Sequence, residues 1–496
     1  MRYSAISTCF ALCLLFLAVC SAYGAGQAPS ASTVFHVRSR LVVLDVVVTG
    51  KDGQLVPGLI QQDFQVLEDG KPQKIRSVEF TASTSAPASH SKSVLVLDEL
   101  NNAVEESNHA KAELEHYIST LPEILLQPTM LIAVNDQGFQ MLSSTTRDRE
   151  GLQRALHAER SQIPFDFNRH DYEARLRITL NALRQIALSS EDSPGRTELI
   201  WVGHGFPSVN LENVDATLSD AMQTMIRKIT NVLLEARIVV YRIDPAPVGS
   251  GHLLESPENM DAAFDDSTEP FAENIGFDTL VRQTGGTAFY NRNDVDNEVA
   301  RAVTLGSTFY TVTYIPANDS AEPASYRHIR VVMNRPGLHA STRQGYYTDT
   351  QQTTQPAPDV PLTVDAAIVN DLNYTSLQIR VSRYIRSGDG HSTIYRLQLA
   401  PQNLQWSVAD DGSRTLHLMA AAASYTAAHK PRSYTRRSIL LKFSANQDAL
   451  APISLDLPLH IPADATSLRV VVLDTSSGKL GSTNVDPLPV NARTTP

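Results

Sequence analysis

Ser93-Val94-Leu95-Val96-Leu97-Asp98-Glu99-Leu100-Asn101-Asn102 is a short apolar run that ends abruptly in a carboxylate and two carboxamides. It reads as a buried central strand that delivers polar groups to its carboxyl end. In open α/β sheets that edge is where ligands bind. Just beyond, Ala110, Leu114, Tyr117, Ile118 and Leu121 recur at helical spacing and define one apolar face. Asp98 therefore sits in a strand-to-helix loop, the hallmark of an α/β unit.

Elements alternate downstream as a doubly wound sheet requires. Residues 129–134 and 139–144 read as two strands joined across Asn135-Asp136-Gln137-Gly138, and residues 172–187 as a second helix. Residues 198–202 read as a strand ending in Gly203-His204-Gly205-Phe206-Pro207, residues 214–236 as an amphipathic helix, and residues 237–243 as the next strand. After a polar insertion at 245–268 come a helix ending at Gly285-Gly286, a short strand at 287–290, a helix at 295–305 and a last strand at 308–315. This is the content of a six-stranded core over residues 92–316.

Both flanks are all-β. Residues 34–80 carry a branched apolar run interrupted by Asp45, then the turn signals Asp52-Gly53 and Asp69-Gly70. Residues 81–91, rich in Ser, Ala and Thr, are the linker into the α/β unit. Two more strands, at 326–333 and 338–347, surround Arg335-Pro336-Gly337. Residues 34–80 and 325–348 are expected to pair into one β-domain with the α/β unit inserted between them. A polar linker at 349–361 leads to strands at 377–381, 394–399, 415–420, 437–443 and 468–473. There Leu459-His460-Ile461-Pro462 reads as a hairpin partner of the strand after it. Residues 362–490 are thus expected to form an immunoglobulin-like sandwich, with Trp406 as core packing.

The first 24 residues contain Arg2, an apolar run from Phe10 to Val19, and Ala22-Tyr23-Gly24, the pattern of a cleaved signal peptide. A lipidated Cys20 is the competing reading, opposed by bulky Val19 before it. The apolar run is shorter than the roughly 20 residues a bilayer demands, so no span is expected in the mature chain. Cys9, Cys13 and Cys20 all lie in this leader. The mature chain then has no disulfide, thiolate metal site or catalytic thiol. With 42 Lys and Arg against 53 Asp and Glu and no basic run, a nucleic-acid partner is excluded. Periplasm, outer surface and medium all remain open as destinations.

The strand, loop and helix around Asp98 resemble the metal-site region of a von Willebrand factor type A domain, whose D-x-S-x-S loop helps to hold a divalent cation, usually Mg²⁺. More specifically, D-V-V-V-T-G-K-D-G at 45–53 and D-F-Q-V-L-E-D-G-K-P-Q at 63–73 precede G-R-T-E-L-I-W-V-G-H-G-F-P at 195–207. T-G-G-T-A-F-Y-N at 284–291 and R-P-G-L-H-A-S-T-R-Q-G-Y-Y at 335–347 follow. In this order they resemble the von Willebrand factor A-related proteins abundant in Acidobacteria, over roughly residues 34 to 348. No biochemical activity comes with that resemblance.

The resemblance places the family's cation-ligand positions at Asp98, at Leu100 and Asn102 where the family has serines, and at His204 where it has an aspartate; an asparagine oxygen can still ligate a hard cation, whereas a leucine cannot. The family's threonine falls around residues 165–171, which offer Asn168, His170 and Asp171 instead. Two readings stay open. In one, Asp98, Asn102, His204 and Asn101 bind a cation, with a histidine shifting preference from Mg²⁺ toward Zn²⁺, Mn²⁺ or Ni²⁺. In the other, Asp98 bonds loop amides and His204 is hydrogen-bonded nearby.

Asp98, Glu99, Asn101, Asn102 and His204 together mark the edge expected to meet a protein partner. Gly203-His204-Gly205 lacks the serine of a nucleophile elbow. His109 and His116 read as a solvated helix face, Asp136 as a hairpin residue, and Asp261, Asp265, Asp266 and Glu269 as a solvated insertion. The sequence is expected to encode an exported, non-enzymatic binding or scaffolding protein. A structural envelope protein and a metal-assisted hydrolase using Asp98, His170 and His204 are the alternatives.

Overall fold

The computed structural model describes residues 41–82, 91–160, 172–191, 195–246, 269–290, 294–317, 325–348, 360–385, 392–447 and 451–486. The leader, most of both linkers, His170, and Asp261, Asp265 and Asp266 lie outside the described residues. Strand β1 (Val42–Thr49) turns Val42, Leu44, Val46 and Val48 into one core, where Phe64 and Val66 of β2 (Phe64–Glu68) meet them. Asp69 and Gly70, at φ 47° and 73°, make the two-residue turn into β3 (Lys71–Gln73). Positive φ at both central positions matches the right-handed twist of the strands. Strand β4 (Ile75–Thr81) completes this leading segment.

The α/β unit then runs β5 (Lys92–Asp98), α1 (Val104–Thr120), β6 (Ile124–Asn135), β7 (Gly138–Asp148), α2 (Arg149–Ala158) and α3 (Tyr172–Leu188). It continues with β8 (Thr197–Val202), β9 (Val209–Asn210), α4 (Ala216–Glu235), β10 (Ile238–Ile243), β11 (Asn274–Ile275), α5 (Phe277–Gln283), β12 (Ala288–Phe289) and α6 (Val295–Ser307). One six-stranded sheet has the order β12-β10-β8-β5-β6-β7, with β7 antiparallel to β6 and every other pair parallel. Val94 and Val96 of β5 pack toward α3 and α4, whereas Leu95 and Leu97 pack toward α1 and α6. A strand covered on both faces must be apolar at every position, which is why this run shows no alternation. Strand order reverses between β5 and β8, so their carboxyl ends flank a switch-point crevice.

The strand expected last in this sheet belongs elsewhere. Strand β13 (Phe309–Tyr314) lies between β1 and β4, antiparallel to both. Tyr310, Val312 and Tyr314 are buried while Thr311 and Thr313 are half-buried. A half-polar strand suits an antiparallel sheet with one covered face, and an interior parallel position would bury both threonines. Strand β14 (Tyr326–Met333) pairs with β2, β15 (His339–Ser341) with β1, and β16 (Gly345–Tyr347) with β14. The sheets β15-β1-β13-β4 and β16-β14-β2-β3 enclose one shared core. Segments on either side of the α/β unit thus build one sandwich. It is tied to that unit by Arg237 on Asp45, at 2.5 Å, and by Asn231, which exchanges two hydrogen bonds with the Tyr347 backbone.

The C-terminal part opens with a helix rather than the end of a linker: α7 (Val360–Val369). Strands β17 (Ile379–Ile385), β18 (Ser392–Leu399), β19 (Ser407–Val408), β20 (Arg414–Tyr425), β21 (Pro431–Phe443), β22 (Ile453–His460), β23 (Ser467–Asp474) and β24 (Leu480–Val485) follow. Sheet β17-β18-β22 faces a five-stranded sheet centred on β20, which pairs with β21 on one side and with β19 and β23 on the other. The hairpin expected between residues 459–462 and the next strand is absent: β22 pairs with β18, and β23 pairs with β20 and β24. Leu418, Ala420 and Ala422 fill the sandwich, while Ala421, Ala423 and Tyr425 point out of it onto α7 and the α/β core. Tyr374 Oη reaches Gln185 Oε1 of α3 at 2.5 Å, and Ser376 Oγ donates to Glu191 at 2.8 Å. Trp406 packs edge-on against Phe443 at the sandwich margin.

Candidate functional site

Asp98 closes β5 and is fully buried. Its Oδ1 accepts from the Leu100 and Asn101 amides at 3.1 and 2.9 Å. Its Oδ2 accepts from Trp201 Nε1 at 2.8 Å and from the Gly205 amide at 2.9 Å, and Asn101 Nδ2 lies 3.2 Å from both oxygens. Burial pushes the carboxyl above the ordinary aspartate range, and the Trp201 and Asn101 donors pull against it. Every contact is a donor, so the cradle is built for a carboxylate. Leu100, where the resemblance implies a hydroxyl ligand, is buried in the apolar core.

The neighbouring amides fasten this loop to other elements. Asn101 also donates to Thr179 of α3 and accepts from Arg175 Nε at 3.1 Å. Asn102 Oδ1 accepts from the His204 amide at 3.0 Å, and its buried Nδ2 has no partner among the described residues. The approach of the two loops leaves no space at Gly203, where a Cβ would stand 2.3 Å from Asp98 Cβ. Gly205, at φ 72°, lies against the Phe277 ring, which also packs on Trp201 and Phe206. Glu99 is buried as well.

His204 is one-fifth exposed. Its Nε2 lies 3.0 Å from Glu106 Oε2, and its Nδ1 lies 3.2 Å from Arg242 Nη2 and 3.7 Å from Asp244 Oδ1. Because a guanidinium only donates and a carboxylate only accepts, the neutral ring carries its proton on Nε2. Desolvation lowers the imidazole pKa, but the Glu106 hydrogen bond and the Asp244 charge outweigh it, and the net shift is upward. Arg242 also donates to the Gly203 carbonyl and to Asp278, and stacks over Tyr290. Glu106 meanwhile accepts from the Ala103 amide and caps α1.

The structure therefore brings Asp98, Asn101, Asn102 and His204 together at the switch point, as hydrogen-bonded parts of its frame. Both Asp98 oxygens and both His204 ring nitrogens are engaged by protein groups, a poor fit to a cation that needs converging lone pairs. Among the described residues no group of three or more His, Asp or Glu could hold a metal ion. Glu106, Trp201, Arg242, Asp244 and Asp278 escaped the sequence reading. The one local signal was Arg242-Ile243-Asp244, two charges closing an otherwise apolar strand.

Beside this frame lies an open cleft of about 500 Å³, lined by Tyr172, Val209, Val214, Leu218 and Met222 with Glu173, Ser208, Asn210 and Asn213. A second buried carboxyl sits at the opposite edge of the sheet. Glu198, at the start of β8, accepts from Ser93 Oγ at 3.0 Å and Gln127 Nε2 at 3.3 Å, and burial pushes its pKa up to about 7 against the Arg196 charge.

No family model matches the chain, and no curated protein matches it. Among solved structures it is similar to the solution structure of R. palustris CsgH, at 13% identity and a TM-score of 0.16, over 24% of this chain and 99% of that one. A likeness of that size carries no argument about fold or function.

Proposed function

We propose that the chain is an exported, non-enzymatic scaffolding protein whose α/β unit is a type A-like domain that works without a cation. Support for the domain assignment comes from the sheet order, with one antiparallel strand at an edge, and from Asp98 at the switch point. The observation that carries the cation-free reading is the Asp98 carboxylate, whose two oxygens take donors from Leu100, Asn101, Trp201 and Gly205. These N–H groups do the neutralising that a metal would otherwise do. A histidine fixed between Glu106 and Arg242 takes the place of the family's aspartate.

Calorimetric titration of the full chain with Mg²⁺, Mn²⁺ and Zn²⁺, alongside elemental analysis, tests this. The expected result is no stoichiometric heat and the same unfolding midpoint with and without chelator. Stoichiometric binding that Asp98→Ala abolishes would overturn it, and would return the hydrolase reading to consideration.

A further inference from the structure

Strand β21 runs for thirteen residues and, among the described residues, pairs only with β20. Among the described residues its other edge has no strand partner. An edge of this length is a template for another strand unless something blocks it. Most of its side chains are exposed, among them Tyr434 and Leu440, each about half exposed. Its charge sets it apart from a chain of net charge −11: Arg432, Arg436, Arg437 and Lys442 lie on it, with no acidic residue between Pro431 and Phe443. Two of the four are spoken for, Arg432 by Asp464 and Arg436 by Asp365 of α7. Arg437 and Lys442 have no ionic partner among the described residues.

We propose that β21 is a docking edge for an extended acidic segment of another protein, which adds to the five-stranded sheet as a further strand. Backbone hydrogen bonds give such additions their affinity, and alternate side chains give them specificity. On one face an added strand would lie beside Arg436, Leu440 and Lys442; on the other it would lie beside Arg437, Ile439 and Leu441. The fitting ligand therefore carries carboxylates on both faces, interleaved with apolar residues. The same cations set a second β21 edge, equally basic, against pairing with this one, so self-association is disfavoured while an acidic strand is drawn in. This inference goes beyond the cation-free reading of the α/β unit and does not depend on it.

The test uses the full chain with a capped peptide of repeating Glu-Glu-Val-Val, which sets carboxylates and valines on both faces of a strand, about ten residues long to span the edge. A Lys and Val peptide and a Glu and Val peptide interrupted by proline serve as controls. Fluorescence anisotropy reads affinity, and amide hydrogen exchange reads location. The expected outcome is binding of the Glu and Val peptide alone, slowed exchange across Arg432–Phe443, and weakening as salt rises from about 0.05 to about 0.5 M. The double variant Arg437→Glu with Lys442→Glu, at exposed or edge positions, should lose affinity by about tenfold or more at an unchanged unfolding midpoint. No binding, equal binding of the Lys and Val peptide, or protection mapped to another strand would each overturn the proposal. The exchange map on the unmutated chain decides the matter even where a variant folds poorly.

Discussion

At the scale of single residues, burial raises the pKa of two carboxyls that differ in how fully donors surround them. Asp98 is surrounded by donors, and removing it strands the amides of Leu100, Asn101 and Gly205 and the Trp201 indole in a dry site. Each orphaned donor costs about 1–3 kcal/mol, so Asp98→Ala should lose at least about 3 kcal/mol in urea unfolding, with or without Mg²⁺. Trp201→Phe, which deletes one donor to a charged acceptor, should cost about 1.5–3 kcal/mol by the same measurement. Glu198 has few compensating partners, and its pKa rises from 4.5 to about 7 on folding. The folded state holds that proton more tightly than the unfolded state does. The contribution is therefore complete below about 4.5 and lost as pH climbs through about 7, amounting to about 3 kcal/mol. Unfolding midpoints measured from pH 4.5 to 8 should show this decline, and Glu198→Gln should flatten it.

Residues of this kind were unequally legible. Asp98 and His204 each end an apolar strand and announce themselves. Glu106, Arg242 and Asp278 come from three other elements and acquire meaning only when the sheet order sets those elements side by side.

Among elements, α7 was the hardest to read and holds much together. Val360-Pro361-Leu362-Thr363-Val364-Asp365-Ala366-Ala367-Ile368-Val369 has no clear polar face, and Pro361 reads as a linker residue although the first turn of a helix tolerates it. Val360, Val364, Ala367 and Ile368 are covered by Ala421, Ala423 and Val471 of the sandwich and by α3, while Leu362 and Val369 stay exposed, so the apolar pattern marks no single buried face. Ile368→Ala should cost about 2–5 kcal/mol and speed proteolysis of the C-terminal sandwich before that of the α/β unit. The pattern of β13 predicts a strand but not its sheet, because the sequence records its alternation and not that β1 and β4, rather than the α/β sheet, lie beside it. The β5 strand, the D-G turns and the strands of the C-terminal sandwich were legible because their signals are local.

Across the whole molecule, α7 and Tyr374 join the C-terminal sandwich to α3, while Arg237 and Asn231 join the α/β unit to the N-terminal sandwich. A chain ending at residue 348 would expose the apolar faces that α7 and β20 cover. Such a truncation should bind a hydrophobic dye and aggregate on warming at temperatures where the full chain stays monodisperse in light scattering. The N-terminal sandwich has a further consequence, in time. Strand β1 lies between β13 and β15, and the bond from Thr311 to Asp45 spans 266 residues of chain. At ordinary elongation rates the ribosome needs roughly 15 to 50 seconds to make the partner that β1 awaits. Through that interval both edges of a strand rich in valine lack the strands that will flank them, and a holdase or rapid collapse of the intervening unit must keep it from pairing with the wrong one.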